Sequence, residues 1–265
     1  MSLMATHGRG GDIIMSMSAA SLIREKTGVA PVIAVGKSYG PVADLMLEMG
    51  MPVSDVVMSP HFCPVLDNGV FGSSVSRWSC SMLRFLYGHD ENYNCCLGSV
   101  PSGVHLCSLM RYLTGLTSSL SLVSMPRPSE SFRHVGGSST VVYHFGGSSV
   151  SKFIHVRTNP YPEMTAVFAG ARTDPMPSWG DVDMRGASLS DLCLTLREAS
   201  ACVGSDSLVT HISSLMEVPT VALHASSQSI SMSDRKYSPR GHSVLYNEGE
   251  KVSVEVIDLL SRYMS

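Results

Sequence analysis

The chain has 265 residues, 44% of them hydrophobic, with a formal net charge of −3 and a pI near 6.3. At this length roughly 70–75% of the unfolded surface is buried on folding, enough for two compact units, and the mild acidity excludes a strongly basic nucleic-acid or membrane-surface protein. Seven cysteines without CxxC spacing or a Cys/His cluster exclude a disulfide framework and a structural zinc site, and no run reaches the ~18–20 apolar residues of a membrane span.

In chain order, Leu3–Thr6 reads as a short buried strand, "HGRGGD" (7–12) as a turn, and Ile13 to about Lys26 as a helix. Val32–Val35 is a predicted strand, Pro41–Met49 a helix closed by Gly50, and Val53–Met58 a third strand. Strand–helix alternation of this kind places the chain in the α/β class with parallel sheets. From Ser59 to about Gly103 the periodicity gives way to Pro, Gly, Ser and Cys, and the polar run "GHDENYN" (88–94) predicts loops and short helices. A helix is expected at Val104–Leu113. "SMPRPSESFRHVGGSS" (124–139) combines prolines, charge and glycines without periodicity and reads as the domain boundary. The alternation then resumes with strands at Thr140–Phe145 and Thr165–Ala169 and a helix at Leu189–Ala199. Strand Ala201–Val203, helix Leu208–Met216, strand Thr220–His224 and a terminal helix near Val252–Tyr263 follow. The expected organisation is two Rossmann-like units, 1–130 and 131–250, with 251–265 as a terminal helix returning toward the first.

Three segments carry chemistry. The richest is "GASLSDLCLTLREASACVGSDSLVTHISSLMEVPTVALHAS" (186–226), in which a strand delivers Gly204, Ser205 and Asp206 to the start of a helix. Unpaired amides and the positive end of the helix dipole suit a phosphate there, and the alternative reading makes Ser205 or Asp206 a plain helix cap. His211 falls one turn into that helix, either facing the corner or serving the core. The second is "VVYHFGGSSVSK" (141–152): Gly146 and Gly147 permit close backbone approach, Ser148 and Ser149 offer hydroxyls, and Lys152 offers a point charge. The third is Gly11-Asp12 before the first helix, where Asp12 is either the N-cap or a carboxylate placed for proton transfer.

In combination these motifs resemble the heptosyltransferase-like glycosyltransferases of family nine. The matching residues are Gly11-Asp12, the turn ending at Lys152, and Asp206-Ser207-Leu208-Val209-Thr210-His211 followed by Val218-Pro219-Thr220-Val221. Leu208 stands where the family usually has glycine, the chain is shorter than typical members, and 59–135 matches little.

The resemblance implies the GT-B fold, two Rossmann-like domains facing a central cleft, and inverting transfer from a nucleotide-diphosphate sugar to a saccharide or glycolipid. It implies Asp12 as catalytic base. Gly146, Gly147, Ser148, Lys152, Gly170, Ser205, Asp206, Ser207 and His211 would meet the donor, and Gly11, His7 and Arg9 the acceptor. The resemblance also implies that no metal or other cofactor is needed.

Arg172 and Asp174 in "FAGARTD" are candidates for the nucleotide base or ribose, against a solvated loop pair. Met15, Met17, Met46 and Met49 fall at helical spacings and read as core. A nicotinamide enzyme is disfavoured because "GRGGDI" lacks the third glycine of GxGxxG. A non-catalytic nucleotide-sugar-binding protein remains the second reading. A transferase acting on a protein or a nucleic-acid base, served by Arg77, Arg84, Arg111, Arg127 and Arg133, is a third. The cysteine usage points to the cytoplasm, with at most peripheral membrane contact.

Overall fold

The computed structural model describes residues 2–6, 9–59, 91–94, 104–147, 154, 156 and 158–246. The chain divides into two compact units, Met1–Ser129 and Glu130–Ser265. Each is an α/β unit built on an all-parallel sheet.

The first unit contains strands β1 (Ser2–Ala5), β2 (Val32–Gly36), β3 (Asp55–Ser59) and β4 (Glu91–Asn94) in the order β3-β2-β1-β4. Helix α1 (Gly10–Thr27) follows β1, and α2 (Gly40–Glu48) starts with a proline in its first turn, where a missing N–H is harmless. The α1 helix ends at Gly28, whose φ of +75° allows its N–H to reach the Arg24 carbonyl. Its residues from Ile13 to Ala20 are all buried, because α2 and α3 (Leu106–Leu113) both pack against it. Ser18 is tolerated at this depth because its hydroxyl donates to the Cys107 carbonyl at 3.0 Å. Met15, Met17, Met46 and Met49 lie in this core as expected.

The second unit contains β5 (Thr140–His144), β6 (Thr165–Phe168), β7 (Val182–Asp183), β8 (Ala201–Ser205), β9 (Thr220–His224) and β10 (Gly241–Leu245). Their spatial order is β10-β9-β8-β5-β6-β7. Helices α4 (Leu189–Glu198), α5 (Leu208–Leu215) and α6 (Ser227–Ser233) belong to this unit. Numbered from β5, the order is 3-2-1-4-5-6 reversed, the doubly wound arrangement of dinucleotide-binding folds. Every residue of β8 and β9 is buried, which is why both read as short continuous apolar runs. One part of the core is aromatic. Tyr143 and Phe168 stack at 5.4 Å, and the Trp179 ring meets each of them edge-on at 5.1 Å. The Trp179 indole N–H is satisfied by the Val156 carbonyl at 3.1 Å.

The structure departs from the sequence reading at four elements. Glu91–Asn94, inside the run expected to be a loop, is a strand paired in register with Ser2–Ala5. The elements β7, α6 and β10 extend the second unit beyond what periodicity indicated. The expected helix at 252–263 lies outside the described residues. Among the described residues, no helix is long and apolar enough to cross a membrane.

Truncating Phe168, 1% exposed at the centre of the aromatic cluster, is expected to cost about 3–5 kcal/mol. Urea unfolding of Phe168→Ala, followed by tryptophan fluorescence and circular dichroism, checks this.

Candidate functional site

In a doubly wound sheet the chain leaves in opposite directions from two adjacent strands, and the crevice beyond their carboxyl ends is the natural ligand site. In the second unit those strands are β5 and β8, paired from Val141↔Ala201 to His144↔Gly204. Beyond β5 come Gly146 and Gly147, and beyond β8 come Asp206 and Ser207. The two separately chosen motifs therefore meet at one corner. The Ser205 hydroxyl closes it by donating to the Gly146 carbonyl.

The corner's amides are partly committed. The Asp206 N–H donates to the Leu223 carbonyl at 3.2 Å, and the Ser207 N–H to the Thr210 hydroxyl at 3.2 Å. Ser207, not Ser205 or Asp206, is the N-cap of α5, and the first bond of the helix runs from the His211 N–H to the Ser207 carbonyl. The amides of Leu208 and Val209 precede that bond and are the ones the helix end turns outward, while the Thr210 N–H faces the capping Ser207 side chain. Leu208, standing in place of glycine, is half-buried at that first turn.

Asp206 and His211 share one network of contacts. Asp206 Oδ1 accepts from Arg235 Nη2 at 2.9 Å and lies 3.5 Å from His211 Nε2. Asp206 Oδ2 accepts from the Ser229 and Ser233 hydroxyls at 3.1 and 2.9 Å. His211 is 3% exposed, with Nδ1 3.0 Å from the Tyr237 hydroxyl. Both side chains thus join a buried network linking α5 to the segment 229–237, and neither is turned toward Gly146–Gly147 by these contacts. The network has no local sequence signal, because its cation, Arg235, comes from a remote and unpatterned stretch.

A second buried group sits against the glycine turn. His144, the last residue of β5, places Nδ1 3.0 Å from the Ala169 carbonyl and 3.7 Å from Asp174 Oδ2. Asp174 accepts the Ala171 N–H at 2.7 Å and is buried, so it is not the solvated loop partner of the exposed Arg172. Gly146 and Gly170 are required here: a Cβ at either would overlap the Asp174 carboxylate, and Gly170 also has a φ of +127°. A polar residue ending a buried apolar strand was the available signal for His144. Burial lowers the pKa of His144, opposed by the Ala169 carbonyl and the Asp174 charge.

In the first unit Asp12 is at the third position of α1, and its N-cap is Arg9. The Asp12 carboxylate accepts the Arg9 N–H at 2.8 Å while the Asp12 N–H reaches the Arg9 carbonyl at 2.9 Å. This reciprocal turn corrects the N-cap assignment and keeps a carboxylate at the helix start. Gly11 lies beside it in the first turn, and the site is beyond β1, which separates β2 from β4. His7, Ser148 and Lys152 lie outside the described residues, as do Arg77 and Arg84. No group of three or more His, Cys, Asp or Glu able to hold a metal occurs among the described residues.

The architecture is that of the doubly wound α/β class. No protein-family model and no curated protein matches the sequence. Solved structures do match along nearly the whole chain. The ADP-heptose lipopolysaccharide heptosyltransferase II of E. coli is 13% identical with a TM-score of 0.65, covering 100% of this chain and 98% of that one. The E. coli heptosyltransferase WaaC with ADP is 9% identical with a TM-score of 0.63, covering 100% of both. A family 9 glycosyl transferase from Veillonella parvula is 12% identical with a TM-score of 0.63, covering 99% of this chain and 97% of that one. The resemblance read from three short motifs is therefore matched by the fold.

Two outcomes follow from this geometry. Gly146→Ala must displace the Asp174 carboxylate and is expected to cost about 1–3 kcal/mol, read by urea unfolding. Burial also lowers the pKa of His134 and His242, so these groups and His144 take up protons more readily when unfolded. Their contribution to stability is full above the ordinary value of 6.5 and is lost as pH falls through it. The melting temperature should drop from about pH 7.5 to about pH 5.5, and His144→Gln should flatten that slope.

Proposed function

We propose that the protein is an inverting glycosyltransferase that takes a sugar from a nucleotide-diphosphate donor. The observation that carries this reading is the meeting of Gly146–Gly147 and Ser205–Ser207 at the β5/β8 switch point. Its support from outside is the fold shared with an ADP-heptose heptosyltransferase and with a heptosyltransferase bound to ADP.

In this reading the second unit holds the donor. The nucleotide lies beyond the carboxyl ends of its strands, near Gly170, and the diphosphate meets the first-turn amides of α5 and the Lys152 ammonium. The first unit holds a saccharide or glycolipid hydroxyl near Gly11, His7 and Arg9. The acceptor oxygen attacks the anomeric carbon as the bond from that carbon to the diphosphate oxygen breaks, with inversion. Asp12 takes the acceptor proton, and the departing diphosphate keeps the electron pair, stabilised by Lys152 and the amides. A carboxylate at a helix start is a weak base. It therefore accepts the proton late, when the acceptor oxygen is already bonding to carbon. The reaction needs no metal, and the protein works in the cytoplasm with at most peripheral membrane contact.

Thermal-shift titration against ADP, UDP, GDP, CDP and their sugar conjugates tests the reading first. A ligand at 100 times its Kd should add about 2.7 kcal/mol, and no shift with any of them at millimolar concentration contradicts the proposal. Lys152→Ala should weaken diphosphate binding about tenfold, or ~1.4 kcal/mol. Asp12→Asn should bind the donor within about twofold of wild type and lose about 10²–10⁴ in kcat. EDTA treatment should leave transfer unchanged. If Asp12→Asn loses only helix stability and no transfer is found with any donor, the protein is a nucleotide-sugar-binding protein instead.

A further inference from the structure

The most unusual buried group is Arg235, whose residue is 0% exposed. It lies in a short turn, Arg235–Tyr237, between α6 and β10. Its Nη2 donates to Asp206 Oδ1 and to the Thr210 hydroxyl, each at 2.9 Å, and its Nη1 donates to the Ser233 carbonyl. Its own N–H reaches the Ser243 hydroxyl at 3.2 Å. A guanidinium withdrawn this far from water persists only when its charge and donors are matched. The matching charge is Asp206, the residue between Ser205 and Ser207.

Both contacts lead to the corner. Thr210 lies in the first turn of α5, and its hydroxyl accepts the Ser207 N–H at 3.2 Å and lies 2.9 Å from the Ser205 carbonyl. The Ser205 hydroxyl in turn holds the Gly146 carbonyl. An ionised Asp206 without a cation would set a negative charge within the backbone turn that is meant to receive an anion. His211 and His224 are the other titratable groups near it, with ring nitrogens 3.5 and 3.9 Å from its oxygens. The His224 imidazole already exchanges hydrogen bonds with the Ser229 and Ser243 hydroxyls, at 2.9 and 3.1 Å. Arg235 Nη2, at 2.9 Å, approaches the carboxylate more closely than either imidazole. Arg235 carries the compensation.

We propose that Arg235 is a positioning residue that neutralises Asp206 and thereby makes the β8–α5 corner receptive to a diphosphate. The proposal rests on the donor-site reading above. A purely structural Arg235 and a neutralising one differ in what they do to ligands of different charge. Lost structure weakens a nucleoside and its diphosphate alike, whereas an exposed negative field weakens the diphosphate selectively.

The test measures Kd for ADP and for adenosine, or for UDP and uridine if those are selected, on wild type, Arg235→Met and the double variant Arg235→Met/Asp206→Asn. Arg235→Met should lose at least about tenfold for the diphosphate and less than about twofold for the nucleoside. The double variant, which removes both charges, should recover diphosphate binding to within about threefold of wild type. Equal loss for both ligands, or an unchanged Arg235→Met, overturns the inference. If Arg235→Met does not fold, the double variant decides: recovery supports neutralisation, and a folded double variant weakened tenfold or more for the diphosphate refutes it. Wild-type protein that binds no diphosphate refutes the donor-site reading itself, a result distinct from any of these.

Discussion

The second unit turns on the ion pair between Asp206 and Arg235. It joins the residue just before the cap of α5 to a turn that precedes β10, so one carboxylate ties the switch point to the far edge of the sheet. Two hydroxyls from α6 complete the shell of Asp206. Removing one partner of such a pair leaves an uncompensated buried charge, typically a loss of about 3–5 kcal/mol, while replacing both is far milder. The arrangement stabilises a particular placement of α6 and β10 more than it stabilises the fold as a whole.

For the proposed donor site, that placement explains how the corner can contain an aspartate. Carboxylate and diphosphate repel, and a sequence reading that assigns Asp206 to the donor leaves the conflict unresolved. The structure resolves it by turning the carboxylate onto α6 and Arg235, leaving backbone amides and small residues at the turn. The glycines across the corner have a matching reason. Gly146 and Gly170 give space to Asp174, whose carboxylate is steadied by the Ala171 N–H and lies 3.7 Å from His144 Nδ1. A buried carboxylate, Asp174, and a partly buried one, Asp206, thus lie near the ends of β5 and β8.

The sequence exposed the parts of this design that repeat locally. Val32–Gly36 and Thr220–His224 are continuous apolar runs because both faces of their sheets are covered. Gly50 marked a helix end, and it adopts positive φ there. Parts that depend on distant partners were not legible. Glu91–Asn94 has no apolar pattern and is a strand because β1 offers it an open edge. Val182–Asp183 is too short for any period. The His211 motif was visible by spacing, but its orientation depends on Tyr237, and that of Asp206 on a guanidinium 29 residues away. Asp12 was recognisable as a helix-start carboxylate, yet only the backbone shows that Arg9 occupies the cap.

The central claim is that a nucleotide diphosphate lands at the β5/β8 switch point. The most direct measurement is amide chemical-shift mapping of isotopically labelled protein during titration with ADP and UDP. The account predicts that the largest saturable shifts fall on Gly146, Gly147 and Ser205 through Thr210, with small changes at β7, β10 and α3. Saturable shifts concentrated in the first unit, with the 146–147 and 205–210 amides unmoved, would contradict it.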